Sequence, residues 1–244
     1  MTAHLDDFGR AEWWTLAKLG VTVPHNEAAT CAMCEQGEMQ WLGIRAGKLT
    51  ASKIGKVITS KGEPTKSQAR KDYAMQLRSE RISGRNDATF VSAAMRHGTE
   101  TEPKARNLYA LEEGVDVFEC GFILPHDGAQ WGYSPDGICP DRLIEIKCPQ
   151  PKAFCAAVDS ERLPPDYALQ IQFGMWVTGL HQADFVWYAT DGDCRPVYRM
   201  YDADAKLHAA FAEHVPAFMA EVDEAEQKTR ERIAEIEEKC GRAN

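Results

Sequence analysis

The sequence contains no apolar run approaching the roughly 20 residues that a membrane-spanning helix needs. Its first residues, Met1 to Asp7, carry neither a positive stretch nor an apolar one of the signal-peptide kind. Both absences predict a soluble cytoplasmic protein. A second metal-binding cysteine pair is also missing. Cys31-Ala32-Met33-Cys34 stands alone, whereas a zinc site needs another pair or two histidines at matching spacing, and only His25 lies near it. Eight cysteines, at positions 31, 34, 120, 139, 148, 155, 194 and 240, are scattered as free thiols of a reducing compartment would be. Cys139, Cys148 and Cys155 are spaced for loops and strand ends, not for an iron–sulfur cluster. No internal repeat is visible.

What remains is an ordinary globular composition. The 244 residues are 44% hydrophobic and 27% charged, enough for one α/β domain with a full core. The net charge of −9 argues against a nucleic-acid partner until it is mapped along the chain. Residues 45–85 hold eleven Lys or Arg (Arg45, Lys48, Lys53, Lys56, Lys61, Lys66, Arg70, Lys71, Arg78, Arg81, Arg85) against Glu63, Asp72 and Glu80. That segment is +8 and the remainder is −17. A basic segment in an acidic chain is the pattern of a localised phosphate-binding surface, or of a solvated helix face.

Residues 1–40 read as an irregular N-terminal extension, with a helical look from Asp6 to Leu19. A short turn from Trp41 leads to a helix opened by Thr50 as N-cap. A second helix is expected at about 69–83, stopped by Gly84, and a third at 90–113, interrupted near Gly98 and Pro103. Val115–Leu124, Trp131–Tyr133 and Arg142–Lys147, separated by Pro/Asp/Gly turns, read as a meander of three antiparallel strands. Pro164-Pro165 opens a helix to Gly179, strands follow at 183–190 and 196–201, and an acidic helix covers 203–239. The fold class is therefore α/β (α+β), a mixed central sheet flanked by helices. Residues 41–244 form one domain, with a basic helical part at 41–113 and a catalytic part at 114–244.

The chemistry is concentrated in Ser134-Pro135-Asp136-Gly137 and Glu145-Ile146-Lys147. Strand alternation puts Glu145 and Lys147 on one face and Ile144 and Ile146 on the other. A tight turn can return Asp136 beside Glu145. Two converging carboxylates suit a hard cation such as Mg²⁺, and the main-chain carbonyl of Ile146 can add a third ligand. Lys147 can orient a water or neutralise developing negative charge. Neither a lone Glu-x-Lys nor an Asp in a Pro-Asp-Gly turn is specific. Combined in this order they form the PD-(D/E)xK nuclease signature.

Supporting residues lie on either side. Glu102 stands at a helix start, where it could simply complement the helix dipole. Tyr167 and Gln170 share a helix face, and a buried Gln170 needs a partner such as a carboxylate or a metal-bound water. Arg45, Thr50 and Ser52 have the parts of a phosphate site, or of a plain helix cap.

In this order the blocks resemble the lambda-exonuclease or YqaJ-type viral recombinase family, over Trp41 to the C-terminal helix. The resemblance rests on Arg45 with Thr50-Ala51-Ser52, Gly98 through Glu102, Ser134-Pro135-Asp136-Gly137, Leu143 through Pro149, and Tyr167-x-x-Gln170 on to Thr178. It implies metal binding by Asp136 and Glu145, catalysis by Lys147, and further active-site roles for Glu102 and Gln170. It also implies a 5′-phosphate pocket at Arg45, Ser52 and Ser134 with Thr50 nearby, and an apolar wedge at Met95. Pro103 directly after Glu102 departs from the pattern and leaves the helix geometry there open.

The resemblance further implies a Mg²⁺-dependent 5′-to-3′ exonuclease acting on duplex DNA ends, with Mn²⁺ a possible substitute. It would release mononucleotides and leave a 3′ overhang. A ring, commonly a trimer, a single-strand annealing partner and a phage or prophage setting inside a bacterial host complete the expectation. A site-specific or structure-specific endonuclease on the same fold, or a non-catalytic DNA-end binder, remain alternatives.

Overall fold

The structure, a computed structural model, describes residues 11–22, 26–86, 93–160, 162–189 and 195–240; of residues 93–95 it describes only the backbone. His25 and the first part of the expected Asp6–Leu19 helix lie outside the described residues. A four-stranded sheet forms the centre: β6 (Gly137–Ile138), β7 (Leu143–Lys147), β8 (Gln182–Trp187) and β9 (Val197–Asp202), in that order. β7 and β8 are parallel, so the chain must cross over between them. It does so through α4 (Pro151–Asp159), which the sequence reading did not anticipate, and α5 (Pro165–Thr178). Gly179, left-handed at φ 77°, closes α5 as its C-cap.

The alternation in β7 decides the two layers. Ile144 and Ile146 pack with Ala105 and Tyr109 of α3 (Ala93–Glu113). Leu143 packs on the other side, in a core with Tyr133, Leu169 and Phe173. α3 runs unbroken through Gly98 and Pro103, unlike the expected interruption. Its far end is pinned to the sheet: the Tyr109 hydroxyl donates to Asp184 on β8, and Arg142 donates to both.

The expected three-strand meander does not form. β4 (Phe122–Leu124) pairs instead with β2 (Thr30–Met33), which pairs with β1 (Glu12–Thr15). β5 (Trp131–Gly132) runs parallel to β3 (Leu49–Thr50). Of the expected meander, Ile123 and Tyr133 keep an antiparallel bridge, with N–H···O bonds of 2.7 and 3.0 Å, and β7 finds its antiparallel partner in β6. The physical reason is long-range: the edges that β4 and β5 complete come from residues about 90 and 80 positions upstream, beyond any local pattern. Residues 12–19, expected to be helical, are a strand and a 3-10 turn, and Cys31 is buried in β2.

α1 (Met39–Arg45) precedes β3, and Ala51–Lys56 is a 3-10 segment, not the α-helix expected after Thr50. α2 (Gln68–Ser83) matches its expected range, capped by Ser67 and ended by Gly84. Its cations are largely committed. Arg70 makes two 2.8 Å bonds to Glu221 and stacks on Phe218, and Arg81 pairs with Asp223 and Glu226. Their partners lie on α6 (Ala205–Lys239), whose Phe211, Val215, Phe218, Met219 and Val222 make the buried stripe. The basic segment is therefore partly neutralised inside the fold, and its free positive face is smaller than +8 suggests. No helix among the described residues is long and apolar enough to cross a membrane.

Candidate active site

Glu145 is the centre of the site. It is 1% exposed, in the middle of an apolar strand, and every bond to its carboxylate comes from a different element. Lys147 Nζ, two residues along the same strand face, reaches Oε1 at 2.5 Å. Gln170 Nε2, from α5, donates to the same oxygen at 2.5 Å. The Tyr133 hydroxyl, from the strand before the Pro-Asp turn, donates to Oε2 at 2.7 Å. Gly174, one turn after Gln170, makes room for that tyrosine: a Cβ there would lie 2.8 Å from its ring. Tyr167 lies on the same helix, with Lys147 5.5 Å over its ring.

Asp136 arrives as its turn predicts. Its Oδ2 accepts the Ile146 N–H at 2.7 Å and lies 3.8 Å from Lys147 Nζ. The Ile146 carbonyl accepts from Lys147 at 3.2 Å. Glu102, on α3, joins through Arg106: the guanidinium binds Glu102 Oε1 at 2.6 Å and the Asp136 main-chain carbonyl at 2.6 Å. Among the described residues no group of three or more His, Cys, Asp or Glu is arranged to hold a metal ion. The oxygen donors available are the carboxylates of Asp136 and Glu145 and the Ile146 carbonyl, with Glu102 close by.

The electrostatics are strained in one direction. Burial, then the nearby Asp136 charge, pushes the Glu145 carboxyl up to about 7. Burial and Asp136 likewise push Glu102 to about 8, despite Arg106. Burial works against the charge of Lys147, but Glu145 and Asp136 outweigh it and hold its pKa above the ordinary value. Negative charge thus exceeds what one lysine and one arginine offset, which is the condition a divalent cation relieves.

A pH dependence follows. The folded protein keeps the Glu145 proton up to about 7, while the unfolded chain releases it near 4.5. Its contribution to stability is present below 4.5 and lost as pH rises through 7. In EDTA the melting temperature should fall between pH 5 and pH 8, and Mg²⁺ should restore more of it at pH 8 than at pH 5. A metal effect equal at both pH values would refute this origin.

The phosphate-pocket residues are only partly brought together. Arg45, at the end of α1, lies 3.8 Å over the Trp41 ring, and Trp41 Nε1 donates to Ser134 Oγ at 3.0 Å. Trp41 therefore links Arg45 to the turn that carries Asp136. Arg45 Nε is buried without a hydrogen-bond partner, and burial lowers its pKa to about 10. Lys53 lies close enough to repel it. Thr50 is buried, its N–H donating to the Tyr73 hydroxyl at 3.3 Å, while Ser52 is exposed on the following 3-10 segment. The side chain of Met95, on α3, lies outside the described residues.

Tyr133, Arg106 and Trp41 were not singled out from the sequence. Arg106 was legible as the i+4 partner of Glu102. Tyr133 and Trp41 were not, since nothing local says what an aromatic hydroxyl or indole N–H will face.

A model of the YqaJ-like viral recombinase domain matches residues 40–181, more than half of the chain and all of the residues just described. The chain belongs to the YqaJ-like family. The alkaline exonuclease LHK-Exo of Laribacter hongkongensis is similar in structure, with a TM-score of 0.73 and 33% identity over 82% of this chain and 100% of that one. That exonuclease is also solved in complex with dAMP. A phage-related exonuclease of Haemophilus somnus, 16% identical, shares the fold at a TM-score of 0.55, covering 75% of this chain and 96% of that one. An uncharacterized protein of Acanthamoeba polyphaga mimivirus is 28% identical over 167 residues, 62% of this chain. The match spans 29% of that relative's length.

Proposed function

We propose that this DNA nuclease of the YqaJ-like family is a Mg²⁺-dependent exonuclease that degrades one strand of duplex DNA from its 5′ end. It releases mononucleotides and leaves a 3′ single strand for recombination by annealing. The observation that carries the reading is the convergence of Asp136, Glu145, Lys147 and Gln170, with Ser134, two residues before Asp136, joined through Trp41 to Arg45 and its unpaired guanidinium N–H. LHK-Exo is named an alkaline exonuclease, and carboxyls held near 7 and 8 suit chemistry that gains from a rise in pH.

Asp136, Glu145 and the Ile146 carbonyl would hold the cation, and Mn²⁺ could replace Mg²⁺ there. When bound, the metal supplies a water of lowered pKa and stabilises charge on the phosphate. Lys147 holds its proton next to both carboxylates and presents a fixed positive charge to the phosphate oxygens. Gln170 and Tyr133 hold the Glu145 carboxylate in one orientation. Glu102 adds a third carboxylate at the edge of the site. Arg45, stacked on Trp41 and linked through it to Ser134, receives the terminal 5′-phosphate with help from Ser52 and Thr50, and Met95 splays the duplex end. Phosphate contacts of this kind select an end and carry no base sequence. The protein works as a closed homo-oligomeric ring, a trimer, around DNA, and passes its product to a single-strand annealing protein in the cytoplasm of a bacterial host.

Linear duplex labelled at either end, digested with and without Mg²⁺ beside a closed circle, tests this. The 5′ label should appear first as mononucleotide, only with the metal, and the circle should stay intact. A cut circle points to an endonuclease; end binding without cleavage points to a non-catalytic binder.

A further inference from the structure

Arg106 is a buried cation with all three of its nitrogens committed. Its side chain is 8% exposed, and its three nitrogens reach three segments. Nη2 binds Glu102 Oε1 one helical turn earlier on α3, Nε donates to the Asp136 carbonyl, and Nη1 binds Glu119 Oε2 at 2.5 Å in the loop before β4. A buried guanidinium is tolerated only when its donors find acceptors of this quality. The Asp136 peptide is thereby held from both sides: its carbonyl faces Arg106, and its carboxylate faces the Ile146 N–H. Glu102, which Asp136 alone would repel, is held within the same fork.

We infer that Arg106 is a positioning residue for the divalent cation: it fixes Glu102 and the Asp136 turn relative to each other and so sets how tightly the site binds the metal. The inference rests on the proposed metal site. Three acceptors in three directions need a planar fork, and a lysine is a single point charge. Partners that orient metal ligands from behind contribute about ten- to a hundredfold to metal affinity or activity.

The test is calorimetric binding of Mn²⁺ to the full chain without DNA, for wild type, Arg106→Lys, Arg106→Gln, Glu102→Gln and the double variant Glu102→Gln with Arg106→Gln, with melting curves in EDTA alongside. Arg106→Gln should bind Mn²⁺ about tenfold more weakly or worse, with Arg106→Lys between it and wild type. In a Glu102→Gln background the added loss from Arg106→Gln should shrink to about half or less, because both changes break the same contact. Affinity for duplex DNA should stay within about twofold, since the acceptors of Arg106 are Glu102, Glu119 and the Asp136 carbonyl and not the residues assigned to the 5′-phosphate. If Arg106→Gln does not fold, Arg106→Lys decides. A variant with wild-type Mn²⁺ affinity, whether or not it melts lower, makes Arg106 a fold strut and overturns the inference. Fully additive losses overturn it too. A wild-type protein that binds no Mn²⁺ refutes the metal site itself, a separate failure.

Discussion

Lys147→Ala is expected to lower DNA cleavage by about a hundred- to a thousandfold while leaving affinity for duplex ends nearly unchanged. The ammonium lies 2.5 Å from Glu145 and 3.8 Å from Asp136, so it is fixed beside both carboxylates before any substrate arrives. Removing one preorganised electrostatic group of this kind costs about that much in rate. Under the proposed function DNA affinity comes from phosphate contacts elsewhere, so it should hold. The fold should survive as well. Removing a partner from a buried ion pair costs several kcal/mol when the remaining charge has no escape. Glu145 has one: its carboxyl titrates at about 7 even beside the lysine, and without that cation it keeps its proton to higher pH. The variant should therefore melt near the wild-type temperature at pH 6 and lose ground as pH rises. Retained cleavage in single-turnover digestion of linear duplex would overturn the role given to Lys147.

Arg45→Ala is expected to collapse the preference for 5′-phosphorylated over 5′-hydroxyl ends. A charge-assisted bond to a phosphate is worth about 1.5–3 kcal/mol, roughly ten- to a hundredfold in the ratio of kcat/KM. The loss should fall on phosphorylated ends and spare hydroxyl ends, which separates it from general damage. Stability should change little. Arg45 stacks on Trp41, but its Nε is buried with no acceptor, so the native fold already bears a cost there. A polar group left unsatisfied in an otherwise well-bonded neighbourhood is a local conflict of the kind functional sites retain. Competition between the two labelled ends measures the ratio, and an unchanged ratio removes Arg45 from the pocket.

The basic segment shows how tertiary structure revises charge arithmetic. Residues 45–85 are +8, yet Arg70 and Arg81 spend their charge on Glu221, Asp223 and Glu226 of a helix that begins 120 residues after the segment ends. Summed charge locates a surface only when the opposing charges are known to be elsewhere, and here part of them packs directly against it. Lys61, Lys66, Lys71 and Arg85 stay exposed and remain available to phosphate.

By itself the sequence determined what depends on local periodicity and local turns. The alternation of Leu143 to Lys147 set which side chains share a face, the Pro135-Asp136-Gly137 turn set the return of Asp136, and the caps of α2 and α5 set their lengths. Those are short-range consequences of backbone geometry, so the convergence of Asp136, Glu145 and Lys147 was legible in the sequence. Tertiary structure alone decided what the trio leans on. Tyr133 on Glu145, Arg106 between Glu102 and the Asp136 carbonyl, Trp41 between Arg45 and Ser134, and β2 beside β4 join residues from 12 to 94 positions apart, except for the one-turn steps Arg106–Glu102 and Arg45–Trp41. Such contacts are selected by whatever buries the most apolar surface while satisfying each buried polar group. That is a property of the whole packed chain, and no window of sequence contains it.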